Sequence, residues 1–580
     1  MIDFGDQVLI RSGRLHRRAR AALLLATTAL SSPILIGSAL AQNLPTGGSV
    51  AAGSVAIVQP SAARLNITQT SQSAVVNWQS FSIGQGSAVN IQQPNGAAAM
   101  LNRVTGNTPS TIAGSLTANG QVYLVNPNGI AITSTGVVNT GGGFVASTLG
   151  ISDADFLSGK RSFTGNGASA AVSNAGTIMV GRGGYAALLG GTVSNAGNIS
   201  VPLGKVGLGS GESATLDFAG DGFLQVALPT ASGGNGALIR NSGSIKADGG
   251  SVIISAATAR EAARNAVNIS GLVEARTIGG HTGSIFIGGG AGGSVNVSGR
   301  LIATARQSKG GAVTVTGKNI TLAGATVDAS GGAGGGSINI GGGSHGQGPL
   351  QQADTVNIDG STAIRADATA TGNGGNVVVW SNQLTKFAGT ITSRGGAQGG
   401  NGGEAEVSGK ALLDYTGFTD LSAANGGFGT LLLDPYNVII SSGVGNTGGS
   451  FDANTNDSVI NVATLQNALG AANVTIATGI GGSQAGNIAL AAPLTWAAAT
   501  VLALNAAGGI AINAPISITG AGGLALNATA QPGITTTGLT FGNGASVDYG
   551  ATDHGGSFSL NGVSYTLVYS MAQLDAIDGV

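Results

Sequence analysis

Val172-Ser173-Asn174-Ala175-Gly176 and Val193-Ser194-Asn195-Ala196-Gly197 are one pentapeptide written twice, 21 residues apart. Looser copies follow at Ile239-Arg240-Asn241-Ser242-Gly243, Val267-Asn268-Ile269-Ser270-Gly271, Val295-Asn296-Val297-Ser298-Gly299, Ile320-Thr321-Leu322-Ala323-Gly324 and Val356-Asn357-Ile358-Asp359-Gly360. Their glycines are separated by 21, 46, 28, 28, 25 and 36 residues, the 46 read as two coils. Repetition at about 20–50 residues marks a solenoid, in which each unit buries its apolar face only against its neighbours.

Short alternating runs lie between the copies: Ser251 to Ser255, Ser284 to Ile287, Ala312 to Thr316, Ser337 to Ile340 and Asn376 to Val379. A period of two over four or five residues, with glycine close by, reads as half-buried strand. The gaps are glycine tracts rather than amphipathic helices, so stacked strands are favoured over a strand–helix repeat. Glycine at the corners supplies positive φ or close backbone approach, and asparagine is the next most tolerant residue there. Stacked Asn corners predict side-chain hydrogen bonds from coil to coil.

The expected fold is all-β, a right-handed parallel β-helix solenoid with Gly-rich turns. Gly429 to Pro435 closes the glycine-rich array. Asn487 to Pro493 and Gly509 to Pro515 continue the theme 22 residues apart, and Ser458 to Leu469 has helical spacing, predicting a short inserted helix near 458–469. The end, from Tyr565 to Ile577, lacks a polar capping coil, which leads to the expectation of a chain truncated at its C-terminus.

Composition agrees with this architecture. The 580 residues include 103 Gly, 8% charged and 42% hydrophobic residues, with a formal net charge of −1. Disorder normally requires low hydrophobicity and high net charge, and neither holds. Lys+Arg is 24 against Asp+Glu 25, and several arginines fall in a segment expected to be removed, so no basic stripe is left for a nucleic acid. Cys is absent, which leaves stacking rather than disulfides to provide stability.

Residues 1–41 read as a signal peptide. Arg11, Arg14, Arg17, Arg18 and Arg20 precede the apolar run from Ala21 to Ile36, and Ala39-Leu40-Ala41 places small residues where a signal peptidase reads, predicting a mature start at Gln42. Ser31-Ser32-Pro33 interrupts the run, which is too short for a span of about 20 residues, and no later stretch is apolar enough for one. The expected mature chain has no integral membrane span.

From about residue 42 to 230, several blocks occur in order: Val76-Asn77-Trp78-Gln79-Ser80-Phe81-Ser82-Ile83-Gly84, Val89-Asn90-Ile91-Gln92-Gln93-Pro94, Leu101-Asn102-Arg103-Val104-Thr105-Gly106, Ile112-Ala113-Gly114-Ser115-Leu116, and Gly120 to Ile130 with Asn126-Pro127-Asn128-Gly129 inside it. Together they resemble the N-terminal secretion (haemagglutination activity) domain of filamentous haemagglutinin-like exoproteins, the passengers of two-partner secretion. The family's earlier Asn-Pro-Asn-Leu-type element stands here as Gln93-Pro94-Asn95-Gly96. The resemblance implies that Asn126, Pro127, Asn128, Gly129, Gln93, Pro94 and Asn95 form the secretion motif. It implies delivery to the periplasm, capture by the periplasmic POTRA domains of an outer-membrane β-barrel transporter, and folding outside a Gram-negative cell. The domain organisation read from all of this is a signal peptide at 1–41, a secretion domain at 42–235, Gly-rich β-helix repeats at 236–430, and further repeats at 431–580.

Candidate chemistry is sparse, and neither a cofactor nor a metal is expected. His16, His281, His345 and His554 have no second His or Cys nearby, and the glycine tracts lack the Asp of calcium-binding nonapeptides. The stretch from Asp452 to Asp457 lacks the turn Gly and closing Glu of a cation loop. Among Trp78, Trp380 and Trp496, Trp78 reads as core, while Trp380, ending a Val run, is the better surface candidate for stacking on a sugar. The leading function is a secreted or cell-surface adhesin-like exoprotein, not an enzyme, with a glycan or protein ligand on a host or bacterial surface. The alternatives are a β-helix polysaccharide-degrading enzyme, for which Asp153, Asp155, Glu404, Glu406 and Asp434 are the nearest to carboxylate clusters, and the stalk of a contact-dependent toxin.

Overall fold

The repeated pentapeptides stack on one another. In the computed structural model Val172 pairs with Val193, Val193 with Ile239, Ile239 with Val267, and so on through Val295, Ile320 and Val356, all in parallel. The structure describes residues 44–578 except 169, 219–221, 232–235, 262–263, 444–456, 480–483 and 529–537. One turn of the coil runs through Ala171–Asn174, Thr177–Val180 and Tyr185–Gly190 before Thr192–Asn195 begins the next. Strands of the first kind form one face, here the second face; strands of the second kind form the third face, and those of the third kind the first face. Among the described residues these three sheets hold 16, 14 and 19 strands respectively. The chain is a parallel β-helix.

The alternating runs from Ser251–Ala256 to Asn376–Ser381 all fall on the first face and pair in register. Their inward residues, such as Val252, Ile285, Val313, Ile338 and Val377, are at most 1% exposed. Each such side chain contributes roughly 1.5–3 kcal/mol by leaving water. The third face is built from shorter pieces, for example Asn198–Ser200 and Ser244–Lys246.

Two glycine columns line the corners. Between the second and third faces, a Cβ added at Gly197, Gly243, Gly271 or Gly299 would sit 2.1 Å from the carbonyl oxygen of the glycine one coil earlier. Those carbonyls accept the hydrogen bonds that carry the ladder around the corner: Asn198 N–H donates to Gly176 O, Ser244 to Gly197 and Leu272 to Gly243, each at 2.9 Å. Between the third and first faces, Gly204, Gly336, Gly375 and Gly429 meet the glycine of the preceding coil at 2.1, 2.1, 2.1 and 2.0 Å in the same sense. Close approach, rather than positive φ, is what these positions demand. The expected asparagine stack is also present: Asn174 Nδ2 donates to Asn195 Oδ1 at 2.7 Å, and Asn195 Nδ2 to Asn241 Oδ1 at 2.8 Å.

Two local readings are corrected. The 46-residue step is a single coil, because Val193 pairs directly with Ile239; the surplus residues leave the coil as the hairpin Ser213–Leu216 and Leu224–Ala227. The helix occupies only Val462–Leu469, because residues Asp457–Asn461 are strand and the Asn461 side chain caps the helix by accepting from Ala463 N and Thr464 N. That helix packs between Phe418–Asp420 and Leu494–Trp496, filling the place of one third-face strand, with Leu465 and Leu469 fully buried. Among the described residues the order of strands breaks once. Asp457–Asn461 lies between Leu412–Tyr415 and Asn437–Ser441, parallel to both, although it follows both in the chain. At the N-terminal end, Ser49–Ala52 pairs antiparallel with Ser73–Trp78, and Val55–Ser61 pairs antiparallel with Arg64–Gln69. At the other end, Val563–Tyr565 turns back on Ser557–Leu560.

The corner column makes a prediction. Gly243→Ala should destabilise its own and the adjoining coils by about 1–3 kcal/mol, the cost of overpacking against backbone, read as faster amide exchange over residues 192–274. Gly360→Ala, where the nearest atom would be Ala388 O at 3.6 Å, should be close to neutral. Equal losses at the two sites would contradict the steric account.

Candidate functional site

Asn126 follows the first-face strand Gln121–Val125 at the corner leading to the second-face strand Ile130–Ile132. Its N–H bonds to Ser147 O at 2.9 Å, continuing the first-face ladder. The side chain is fully buried. Its Nδ2 donates to Thr108 O at 3.0 Å and Ser110 Oγ at 2.9 Å, and its Oδ1 accepts from the N–H and the Nδ2 of Asn128 at 3.0 and 2.9 Å. Gly129 N–H returns to Asn126 O at 3.2 Å, closing a four-residue turn with Pro127 at its second position. Gly129 has φ +118°, a conformation that side chains rarely adopt. Asn128 also reaches Gly106 O at 2.9 Å, and Ser110 N–H donates to Gly129 O at 2.9 Å. The tetrapeptide thus clamps the chain from Gly106 to Ser110 against the corner.

Gln93 sits at another corner, between the third and first faces, and is 2% exposed. Its Nε2 donates to Gln69 Oε1, Ala98 O and Gln121 O, while its Oε1 accepts from Gly120 N–H at 3.0 Å. Asn119 brackets its backbone on both sides, at 2.7 Å each. Asn95 is exposed and pairs with Gln72 at 3.0 Å, and Pro94 is exposed beside it. The two elements of the motif therefore lie on separate corners and do not form one pocket. Ala39, Ala41 and Gln42 lie outside the described residues, as does the stretch from Asp452 to Asn456 of the possible cation loop.

Sequence reasoning missed a second core on the outer side of the first face. Tyr123, Val145, Tyr185, Ala187 and Leu189 point away from the coil interior and pack with Phe156, Phe163 and Phe223. Phe156 lies on the helix Asp153–Leu157, Phe163 on Ser162–Thr164, and Phe223 just ahead of Leu224–Ala227; these two strands flank Ser213–Leu216, antiparallel to it. At its centre, buried Arg161 donates to Tyr123 OH at 2.8 Å and Phe156 O at 2.8 Å, with its guanidinium over both rings at 5.0 and 4.5 Å. Tyr123 OH also meets Tyr185 OH, which donates to Gln121 Oε1 at 2.8 Å. Burial raises both phenols above the ordinary tyrosine range. The signal was available in the sequence: aromatic residues make up only 4% of the chain, yet Phe156, Phe163, Tyr185, Phe218 and Phe223 fall within one stretch. Asp153 and Asp155 serve this module, paired with Arg103 at 2.6 Å and Lys160 at 3.2 Å.

Three of the remaining candidates meet on one outer face: His345 is bonded to Glu406, and Asp434 lies close enough to feel both charges. Glu404 and Glu406 both face outward, with Ala405 and Val407 inside. Glu406 is nonetheless buried, because residues 341–353 fold over the first face; it accepts from Ser344 Oγ at 2.7 Å, His345 N–H at 2.9 Å and Ser408 Oγ at 3.1 Å. The same loop covers Trp380, which is 4% exposed, so this residue is not a surface platform: Cβ atoms at Gly342 or Gly346 would come within 2.8 or 2.5 Å of its ring. Trp78 is core, as expected, and Trp496 is buried too. His281 and His554 are exposed. Among the described residues no group of three or more His, Cys, Asp or Glu is arranged to hold a metal. Among them, too, no helix is long and apolar enough to cross a membrane.

The TPS secretion domain profile matches residues 41–303. The heme/hemopexin-binding protein of Haemophilus influenzae strain Rd is 33% identical over 219 residues, which is 36% of this chain and 23% of that protein. A second Haemophilus influenzae protein of the same name is 47% identical over 90 residues, 16% of this chain and 10% of its own length. This chain thus spans under a quarter of the length of the curated relatives it matches. The crystal structure of the HMW1 secretion domain from Haemophilus influenzae superposes with a TM-score of 0.56 at 30% identity, covering 67% of this chain and 100% of that one.

Asp434 yields a pH prediction. Burial pushes its carboxyl up to about 6, with Glu406 adding to the shift and His345 opposing it. A raised carboxyl favours the protonated fold, so this contribution is present below the unfolded value of about 4 and is lost as pH rises through about 6. Asp434→Asn should flatten the fall in melting temperature between those pH values and stabilise the protein at neutral pH by about 1–2 kcal/mol. An unchanged pH profile would exclude Asp434 as its source.

Proposed function

This chain belongs to the TPS secretion domain family, and from that membership we propose that it is an adhesin-like exoprotein displayed outside a Gram-negative cell. Export would run through the periplasm and a partner outer-membrane β-barrel transporter whose POTRA domains read the N-terminal domain, taken as residues 42–235. The observation that carries this reading is the match over residues 41–303, together with 30% identity to a solved secretion domain covered in full. The family is one of secretion domains of exoproteins rather than of enzymes. The chain acts by binding, with repeats at 236–430 and 431–580 holding its surfaces at a distance and repeating them for avidity. The relatives' heme and hemopexin ligands stay with those proteins, because the alignment reaches only 36% of this chain.

The motif is read before it folds. Asn126 is fully buried and its amide is used up by Thr108, Ser110 and Asn128, so a folded corner offers a transporter little of it. An extended, unfolded segment exposes the same amides and backbone for strand addition. After passage, the corner and the buried Gln93 amide lock the first coils, and each later coil stacks on the last.

Expression with and without the transporter gene tests this. Processed chain should reach the surface or medium only with the transporter, with residues 1–41 removed. Asn126→Ala should lower export several-fold and weaken capture of the urea-unfolded chain by the POTRA domains. Export without the transporter, or an uncut precursor held in the cytosol, would refute the route.

A further inference from the structure

The coil between Gly324 and Gly360 is longer than its immediate neighbours, and its surplus builds a groove. The first part of the extra segment is tied down by the Glu406 carboxylate. The last part, Leu350 to Asp354, forms one wall of a cavity of about 680 Å³ at the corner between the first and second faces. Gln351 Nε2 fixes this wall across the stack by donating to Gly290 O, two coils earlier, at 2.9 Å. Arg260, Lys318 and Asn382 complete the lining with Gln351, Gln352 and Asp354. With Ala291 between Arg260 and Lys318, the lining comes from five successive coils, a run of roughly 19 Å at the spacing of neighbouring strands, which suits an extended ligand lying along the stack.

The groove is chemically unlike the rest of the surface. In a chain with 8% charged residues it gathers two cations and one carboxylate. Among the described residues no hydrogen bond or ion pair engages the Arg260 guanidinium, the Asp354 carboxylate or the Asn382 amide, and Lys318 Nζ reaches only Arg260 O, at 3.4 Å. A guanidinium without a partner beside an ammonium with one long contact attracts an anion, and the guanidinium fork matches a planar carboxylate. Amides and a free carboxylate beside them suit sugar hydroxyls, which both donate and accept.

We propose that this groove binds an acidic oligosaccharide of the uronate type, with Arg260 and Lys318 on its carboxylates and Gln352, Asp354 and Asn382 on its hydroxyls. The inference rests on the binding role proposed above and names its ligand class. Titration calorimetry on the full secreted chain, with a galacturonate trimer and its uncharged methyl ester, tests it. The acid should bind and weaken with added salt. Arg260→Gln and Lys318→Gln should each cost about tenfold, the weight of one charge-assisted contact, and the ester, which loses both contacts, should cost more, while Arg300→Gln, exposed on the third face, should change nothing. Absence of binding by the acid, equal affinity for the ester, or indifference to both groove substitutions would overturn the proposal. Export of the same variants is measured alongside: an exported chain that ignores the uronate sinks the groove alone, and a chain that binds it yet needs no transporter sinks the export reading alone.

Discussion

Everything in this molecule depends on how closely one backbone corner can approach the next. Strands in neighbouring coils must hold the spacing of a parallel sheet along three faces, and the ladder must turn each corner without a break. At two of the corners this puts a glycine carbonyl where the next coil's Cβ would be, 2.1 Å away at Gly197, Gly243, Gly271 and Gly299. Only a residue without a side chain fits, and its carbonyl then accepts the next N–H of the ladder. The composition follows: 103 glycines are the requirement of a structure with many corners and few loops. The core can be thin because the inward-facing apolar residues of the stacked coils are covered from above, below and across.

How legible the fold was in the sequence varied with the length of each element. The second face was visible because its pentapeptides carry the Asn and Gly that stack, and the first face because its strands reach five or six residues. The third face was not: three residues such as Asn198–Ser200 show no period. The hairpin inside the 46-residue step hid for a different reason, since its alternation matches that of the coil strands and only tertiary packing sends it outward. Ser458 to Asn461 read as helix because Val459 and Ile460 suit both periods, and the cap at Asn461 decided the boundary.

The candidate site was legible as residues but not as an arrangement. Asn126-Pro127-Asn128-Gly129 reads from sequence as a turn, and so it is. That Asn126 is buried and clamps the chain at Thr108 and Ser110 depends on a loop sixteen and more residues earlier. Gln93 was grouped with it by resemblance, yet each amide closes a different corner. Trp380 misled because a run of valines ending in tryptophan reveals nothing of a loop from the preceding coil lying over it. The aromatic cluster around Arg161 joins the Asn126 corner to the outer module through Tyr123, three residues before Asn126, so the same strand serves both.

The strand Asp457–Asn461 occupies a seat between two segments made before it. A chain threaded into the open from its N-terminus delivers Asn437–Ser441 while that seat is still vacant. The earlier segment must either wait or take a neighbour's berth and later surrender it. Up to Tyr415 the next segment of chain is always the next rung of this face; past it that equivalence lapses for one strand.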